Sequence, residues 1–394
     1  MWKVQLYKTN YDEREYEAAL RALKSGWHTM GQETIGFEAA FADYLGKHNA
    51  GDSEKTNLKC LAVANGTAAL HMALLACGVG QGDEVITPAL TFIADQNTVS
   101  FCGAKNVLAD ITSLDDLTMS PAEIEKQISP ATKAIMIVHY AGFACDMDSI
   151  TALCKKHKLY LIEDCAHTPG ATYKSSDGSE KHLGTFGDIA AFSFFANKNL
   201  AMGEGGGLVT SNDALYTKLL HLRSHGMSQA SFDRFKGRAS SYDVLEPGLN
   251  YRIDEMRTAI GLVQLNKLDA ANAERAEVAK HYYNRLDTLA ASGKITIPFR
   301  HYKRGRPNHH IMPIILNEQI ERSAVIEAMK EDGIQTSIHY PAVQGFSAYK
   351  GRVNDTAKAQ FVCTHELTLP LYAGMQAGDV DMVCDSLGKA IKTI

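Results

Sequence analysis

Ser193-Phe194-Phe195-Ala196-Asn197-Lys198-Asn199-Leu200-Ala201-Met202-Gly203-Glu204-Gly205-Gly206-Gly207 is the stretch on which the fold turns. Upstream, Asp188-Ile189-Ala190-Ala191-Phe192-Ser193-Phe194 is an apolar run with a polar residue at its end, the pattern of a buried strand. Downstream, the glycines lead into a second apolar run, Leu208-Val209-Thr210. Lys198 therefore stands between two core strands. Most lysines are solvated surface charges, but one placed between core strands is costly unless it is chemically engaged. An amine that can attach to an aldehyde, leave, return and carry protons between carbons is what a pyridoxal phosphate enzyme requires.

Outward from this stretch, extended and helical segments alternate. Strands are expected over residues 60–64, 84–87, 106–109, 134–138, 160–163 and 190–194, with helices over 67–77 and around 94–102. This is the signature of an α/β fold with a central, mainly parallel sheet flanked by helices, here running to about residue 215. From residue 252 to about 290 the chain is rich in Ala, Leu, Lys, Glu and Arg at helical spacing, which predicts a long connecting helix. Strands over 295–298, 310–316 and 335–339 and helices over 323–332 and 379–392 then predict a smaller α+β unit. The expected division is a large cofactor-binding domain, 1–251, followed by the connecting helix and small C-terminal domain, 252–394.

The whole-chain numbers narrow the function classes. With 394 residues and 45% hydrophobic content the chain can bury a sizeable core. Forty basic against 45 acidic residues leave a net charge of −5, with no footprint for nucleic acid. The eight cysteines form no CxxC pair and lie mostly in apolar surroundings, which fits reduced thiols rather than disulfides or zinc. Neither a signal-like apolar region nor a membrane-length apolar run is present, so cytoplasmic residence is the default expectation. Adjacent His309 and His310 on a strand would point to opposite faces, and without supporting Cys or carboxylate spacing no metal site is expected.

Three further segments carry candidate chemistry. Asn65-Gly66-Thr67-Ala68-Ala69-Leu70 follows a strand and opens a helix, where backbone N–H groups and the Thr67 hydroxyl favour an anion such as a cofactor phosphate. Thr67 alone would more commonly be a helix N-cap. In Ile162-Glu163-Asp164-Cys165-Ala166-His167, Asp164 ends a strand and can keep a pyridine nitrogen protonated, while Glu163 points to the opposite side. In Ala89-Leu90-Thr91-Phe92-Ile93-Ala94, Phe92 follows a strand end and can stack on a planar ring, although an aromatic is more commonly core.

These residues, with Ser25-Gly26-Trp27, Gly82-Asp83-Glu84-Val85-Ile86, Asn250-Tyr251-Arg252 and Leu369-Pro370-Leu371-Tyr372, give the chain a resemblance to the DegT/DnrJ/EryC1/StrS family of sugar aminotransferases, a fold-type I pyridoxal phosphate group. The resemblance runs through nearly the whole chain. It implies that Lys198 holds the cofactor covalently, that Asp164 pairs with the pyridine nitrogen and that Phe92 stacks on the ring. It further implies that Gly66, Thr67, Ala68 and Ser193 hold the phosphate, and that His167 lies near the phenolic oxygen. Lys198, Asp164 and His167 would be the catalytic set. The family pattern implies a homodimer with shared active sites, in which Asn250 reaches the partner's cofactor phosphate. Retention of Lys198 argues for amine transfer, since relatives with histidine there dehydrate or deoxygenate sugars. Ala196-Asn197 departs from the Pro-Thr or Pro-Gly of many relatives.

The implied reaction passes nitrogen from glutamate or glutamine, through the pyridoxamine form, to a nucleotide-linked 4-keto or 3-keto deoxysugar in amino-sugar and cell-surface polysaccharide biosynthesis. The basic clusters Arg234-Phe235-Lys236-Gly237-Arg238 and Arg300-His301-Tyr302-Lys303-Arg304-Gly305-Arg306 could contact a diphosphate, or be solvated surface. Thr29, Met30, His310, His339 and Tyr340 are expected near the sugar. Two alternatives stay open: an enzyme acting on a cyclitol ketone or cyclic keto acid, and a non-catalytic pyridoxal-binding regulatory protein.

Overall fold

The computed structural model describes residues 2–47, 57–228 and 242–393. Its centre is a seven-stranded sheet built from β1 (Lys59–Val63), β2 (Glu84–Pro88), β3 (Lys105–Ala109), β4 (Thr132–Val138), β5 (Tyr160–Asp164), β8 (Ile189–Ser193) and β9 (Gly206–Thr210), in the order β1-β9-β8-β5-β4-β2-β3. The short hairpin β6 (Thr172–Lys174) and β7 (Glu180–His182) lies apart from it. Strands β3, β2, β4, β5 and β8 run parallel, and β9 runs antiparallel to both β8 and β1. The expected mainly parallel sheet is present, with the run after the glycines as its reversed member.

Helices cover both faces, which is why the central strands are almost continuously apolar. Alternation along each strand divides the side chains between the two layers. Val85 and Ile162 pack with the helix Gly66–Ala76, whereas Ile86, Ile135 and Leu161 pack with the helix Met147–His157. At the β1 edge, Phe37 and Phe41 of the helix Gln32–Gly46 meet Phe192 and Phe194 edge to face.

The long helix Glu255–Arg285 ends within the expected connector, and a short helix, Asp287–Ala291, follows. Beyond it, β10 (Ile295–Thr296), β11 (Met312–Leu316) and β12 (Glu366–Leu369) form a second, antiparallel sheet backed by the helices Arg322–Glu331 and Ala377–Thr393. Residues 335–339, expected as a strand, make only a single bridge, Ser337 to Thr368. The central strand is flanked instead by Glu366–Leu369. The β6–β7 hairpin was not anticipated, because three polar-flanked residues per arm carry no readable alternation. Among the described residues no helix is long and apolar enough to cross a membrane.

One carboxylate ties the long helix to the N-terminal segment. Gly31 provides no side-chain cap for the helix Gln32–Gly46, and buried Glu255 takes that role from a distance. It accepts the Gly31, Glu33 and Thr34 N–H groups at 2.7–2.9 Å and the Thr34 hydroxyl at 2.6 Å. Glu255→Ala should therefore destabilise the protein by about 3 kcal/mol in denaturant unfolding. A loss under about 0.5 kcal/mol, the scale of an ordinary surface change, would show that this cap is dispensable.

Candidate active site

The parallel strands deliver their functional residues to one edge of the sheet, where ligands of open α/β sheets gather. Asp164 ends β5, Ser193 ends β8, Gly66 opens the helix after β1, and Phe92 follows β2. They line a cavity of about 910 Å³, together with Thr67, Ala68, His167, Lys198, His339 and Tyr340. That is the size range of a cofactor or ligand site.

The floor is a cup with no room for extra atoms. A Cβ on Gly66 would lie 2.8 Å from the Ser193 Cβ, and one on Gly206 would lie 2.3 Å from the Asn65 carbonyl oxygen. Asn65, not Thr67, is the N-cap of the helix Gly66–Ala76, and its Oδ1 accepts the Ala68 N–H at 2.8 Å. Exposed Thr67 is left to present its hydroxyl to the cavity, while the Ala68 amide is already engaged. Arg257 braces the cup by donating to the carbonyls of Ala64 and Glu204.

Across the cavity, burial lowers the Lys198 ammonium from 10.5 to about 8, against the opposing pull of the Asp164 carboxylate. Lys198 Nζ lies 3.4 Å from His310 Nε2. The partners of His310 fix its tautomer. Asn199 donates its amide N–H groups to Asn272 Oδ1 and the Asn308 carbonyl, which turns its Oδ1 toward His310 Nδ1 at 3.0 Å. His310 thus carries its proton on Nδ1 and offers the Nε2 lone pair to the lysine. Burial, then the Lys198 charge, holds this imidazole well below its usual range and neutral.

His167 is likewise buried and neutral, first by burial and then by the nearby Lys198 charge. Its Nδ1 accepts the Ala141 N–H at 3.2 Å, so Nε2 carries the proton toward the Tyr340 hydroxyl at 3.0 Å. Phe92 stands 55% exposed at the cavity mouth, its ring 5.7 Å from that of Tyr340. His339 lines the cavity with its Nδ1 held 2.8 Å from the Thr368 hydroxyl, and burial pushes it down to about 3.

Glu163 points the other way, as alternation requires. Its carboxylate accepts the N–H groups of Gly184, Phe186 and Gly187 and meets His139 Nε2 at 3.1 Å. His139, Glu163 and Cys165 bring potential metal-ligand atoms within 4.8 Å of one another. Glu163 is already saturated by these donors, and His139 Nδ1 accepts the Cys145 N–H, so the cluster acts as an internal hydrogen-bond hub.

Several expected residues lie elsewhere. Thr29 bridges to Asp254 and Met30 packs against the Phe37 cluster, so neither lines the cavity of this chain. His310 meets Lys198. Asn250, expected at a partner's cofactor rather than this chain's own, is exposed and bridges to Ser224. In the cluster 300–306, Arg300 pairs with Asp287 and Arg304 with Asp116, away from the cavity. The cluster 234–238 lies outside the described residues. Thr91, Asp95 and Tyr251 were not singled out from sequence, although the four-residue spacing of Thr91 and Asp95 around Phe92 was a usable signal. The Thr91 hydroxyl donates to Asp95 at 2.7 Å.

The donor set fits pyridoxal phosphate: a cup of backbone and hydroxyl donors for the phosphate, a buried carboxylate at a strand end, and an amine whose neutral form is accessible near pH 8. Lys198 should accordingly react with pyridoxal phosphate or a small aldehyde over a rise centred near pH 8, because the neutral amine grows above its lowered value. Mass spectrometry after borohydride trapping reads the profile, and a midpoint near 10.5 would show that the cavity does not perturb this lysine.

The family model for the DegT/DnrJ/EryC1/StrS aminotransferase family matches residues 9–388. Spore coat polysaccharide biosynthesis protein SpsC of Bacillus subtilis is 36% identical over 389 residues, covering 96% of this chain and 95% of that protein. Among solved structures, PseC of Helicobacter pylori, an aminotransferase involved in pseudoaminic acid biosynthesis, superposes with a TM-score of 0.87 at 26% identity over 99% of this chain and 100% of its own. A Streptococcus pneumoniae protein solved in its PLP form gives 0.86 at 25% identity over 100% of this chain and 98% of its own. With the family model matching nearly its whole length and a relative 36% identical across it, the chain belongs to the DegT/DnrJ/EryC1/StrS aminotransferase family.

Proposed function

We propose that this enzyme moves an amino group from glutamate or glutamine to the ketone of a nucleotide-linked 4-keto or 3-keto deoxysugar, on the way to an amino sugar of a cell-surface polysaccharide. It is a pyridoxal phosphate-dependent aminotransferase. The observation that carries the reading is that Lys198 and Asp164 line one cavity floored by a helix N-terminus. Pyridoxal phosphate, when bound, supplies an electrophilic aldehyde and an electron sink that lets nitrogen leave one carbon and join another.

The chain's own residues divide the remaining work. Gly66, Thr67 and Ser193 receive the phosphate, and Asp164 holds a negative charge at the pyridine side. Lys198 Nζ moves protons, since a value of about 8 keeps both its forms populated near neutral pH. The His310 Nε2 lone pair gives that amine a resting partner, and Tyr340, held by His167, gives the cavity a hydroxyl. The wall of Ile338, His339, Tyr340 and Pro341 offers neutral hydrogen-bonding groups, suited to sugar hydroxyls. The named roles of SpsC and PseC support a surface-sugar pathway. On this reading residues 1–251 hold the cofactor, and 252–394 supply the substrate wall and the His310 contact.

Lys198→Ala should lower turnover by about 10²- to 10⁴-fold or more, the range lost with a general acid–base. The purified wild type should absorb between about 300 and 450 nm, its spectrum changing with glutamate and returning with one nucleotide-linked keto sugar. A sugar or cyclitol ketone that works equally well without the nucleotide would refute the nucleotide requirement. A dimer with shared sites is also part of the proposal, supported by the apolar stripe Tyr16, Leu20 and Leu23 left 46–53% exposed on one helix. Sedimentation should return a dimer, and Asn250→Ala should weaken pyridoxal phosphate binding about tenfold. A fully active single chain would rule out shared sites.

A further inference from the structure

Behind Asp164 lies a second carboxyl that no step above uses. Asp95 sits in the first turn of the helix Ala94–Phe101 and is fully buried. Its Oδ2 accepts the Thr91 hydroxyl at 2.7 Å, while its Oδ1 finds no donor among the described residues. The Asp95 carboxyl lies close enough to that of Asp164, which is only 6% exposed, for each to act on the other. Two carboxylates cannot adjoin in a dry interior as two anions, because each charge raises the cost of the other. A proton between them turns the orphaned Asp95 oxygen into a donor and gives it a partner.

We propose that Asp95 is a positioning residue that holds one proton against Asp164, so that the buried pair carries a single negative charge and Asp164 is the anion. The surroundings assign the proton to Asp95. Asp164 receives the Ala166 N–H at 2.8 Å and faces the positive charge of Lys198. Among the described residues, the groups set against Asp95 are the Thr91 hydroxyl, Asp164 and the neutral phenol of Tyr340. Burial, then the Asp164 charge, raises the Asp95 carboxyl well above its ordinary range. Burial raises Asp164 as well, but its N–H bond and the Lys198 charge oppose the rise. The Asp95 proton thereby fixes the orientation and the charge of the carboxylate offered to the pyridine nitrogen. That last consequence rests on the function proposed above; the sharing of the proton does not.

Infrared spectra of the protein freed of cofactor, in H2O and D2O at neutral pH, decide the matter. Subtracting Asp95→Asn from wild type should isolate one carboxylic-acid C=O band that shifts in D2O. Glu366, which burial raises to about 8, contributes equally to both proteins and cancels. A difference showing only a carboxylate band would overturn the proposal, and Asp95→Thr serves the same subtraction should Asp95→Asn not fold. A second readout uses pyridoxal phosphate itself. Asp95→Asn, whose amide can still donate to Asp164, should keep Kd within about threefold, whereas Asp95→Leu should raise it about tenfold or more. Equal values for the two variants would overturn the positioning role. Failure of all three proteins to bind pyridoxal phosphate would strike the proposed function and leave the infrared result standing on its own.

Discussion

The antiparallel return of β9 alongside β8 is the constraint on which the site depends. Ser193 is paired with Gly206, and Gly206 in turn is paired with Val63 of β1. The loop between β8 and β9 must therefore leave and re-enter the sheet at the same edge, where the parallel strands also end. Lys198 rides on that loop and lines the same cavity as Asp164. Glycine at 206 is what lets the three chains meet, because any side chain there would strike the Asn65 carbonyl. Backbone pairing and a missing Cβ, rather than any attraction between charged side chains, bring the lysine to its carboxylate.

Once that geometry exists, electrostatics is handled differently on the two sides of β5. On the closed side Glu163 is surrounded by three backbone N–H groups and an imidazole. Burial alone would raise its carboxyl, but His139 and the N–H groups of Gly187 and Gly184 hold it low. On the open side Asp164 has one backbone donor and the charge of Lys198 nearby. An anion that is fully satisfied by its own protein has nothing left for a ligand, and one that is under-satisfied does. Adjacent acidic residues on one strand have thus become a structural hub and a reactive group. The difference lies wholly in how many donors each face supplies.

Much of this was legible in the sequence. The strand–loop–strand run around Lys198, the strand end at Asp164 and the glycine cup at Gly66 are local patterns, and each is set by neighbours within a few residues. The mainly parallel sheet followed from the same alternation. What could not be read were relations between distant segments. The bond from His310 to Lys198 spans the two sheets, and nothing near His310 distinguishes a lysine's partner from a substrate contact. The packing of Met30 against the Phe37 cluster is another such long-range relation. Arg300 and Arg304 find Asp287 and Asp116, partners too distant in sequence for local pattern to reveal. Asn65 displaced Thr67 as the helix cap because the extended residue before the helix, not the first hydroxyl within it, has the geometry to cap.

The first residues of the chain are built into its last third. Val4 is fully buried among side chains of the second sheet and its helices. Lys3 donates its N–H to the Gly333 carbonyl, Gln335 to that of Val4, and Leu371 to that of Leu6. During synthesis on a ribosome residues 3–6 therefore have no docking surface until residues 333–371 have followed them. The large sheet can assemble in the order of translation, while residues 3–6 wait for β12 and the core of the second sheet. Their docking is a late, long-range step of folding, and it ties the start of the described chain to its small sheet.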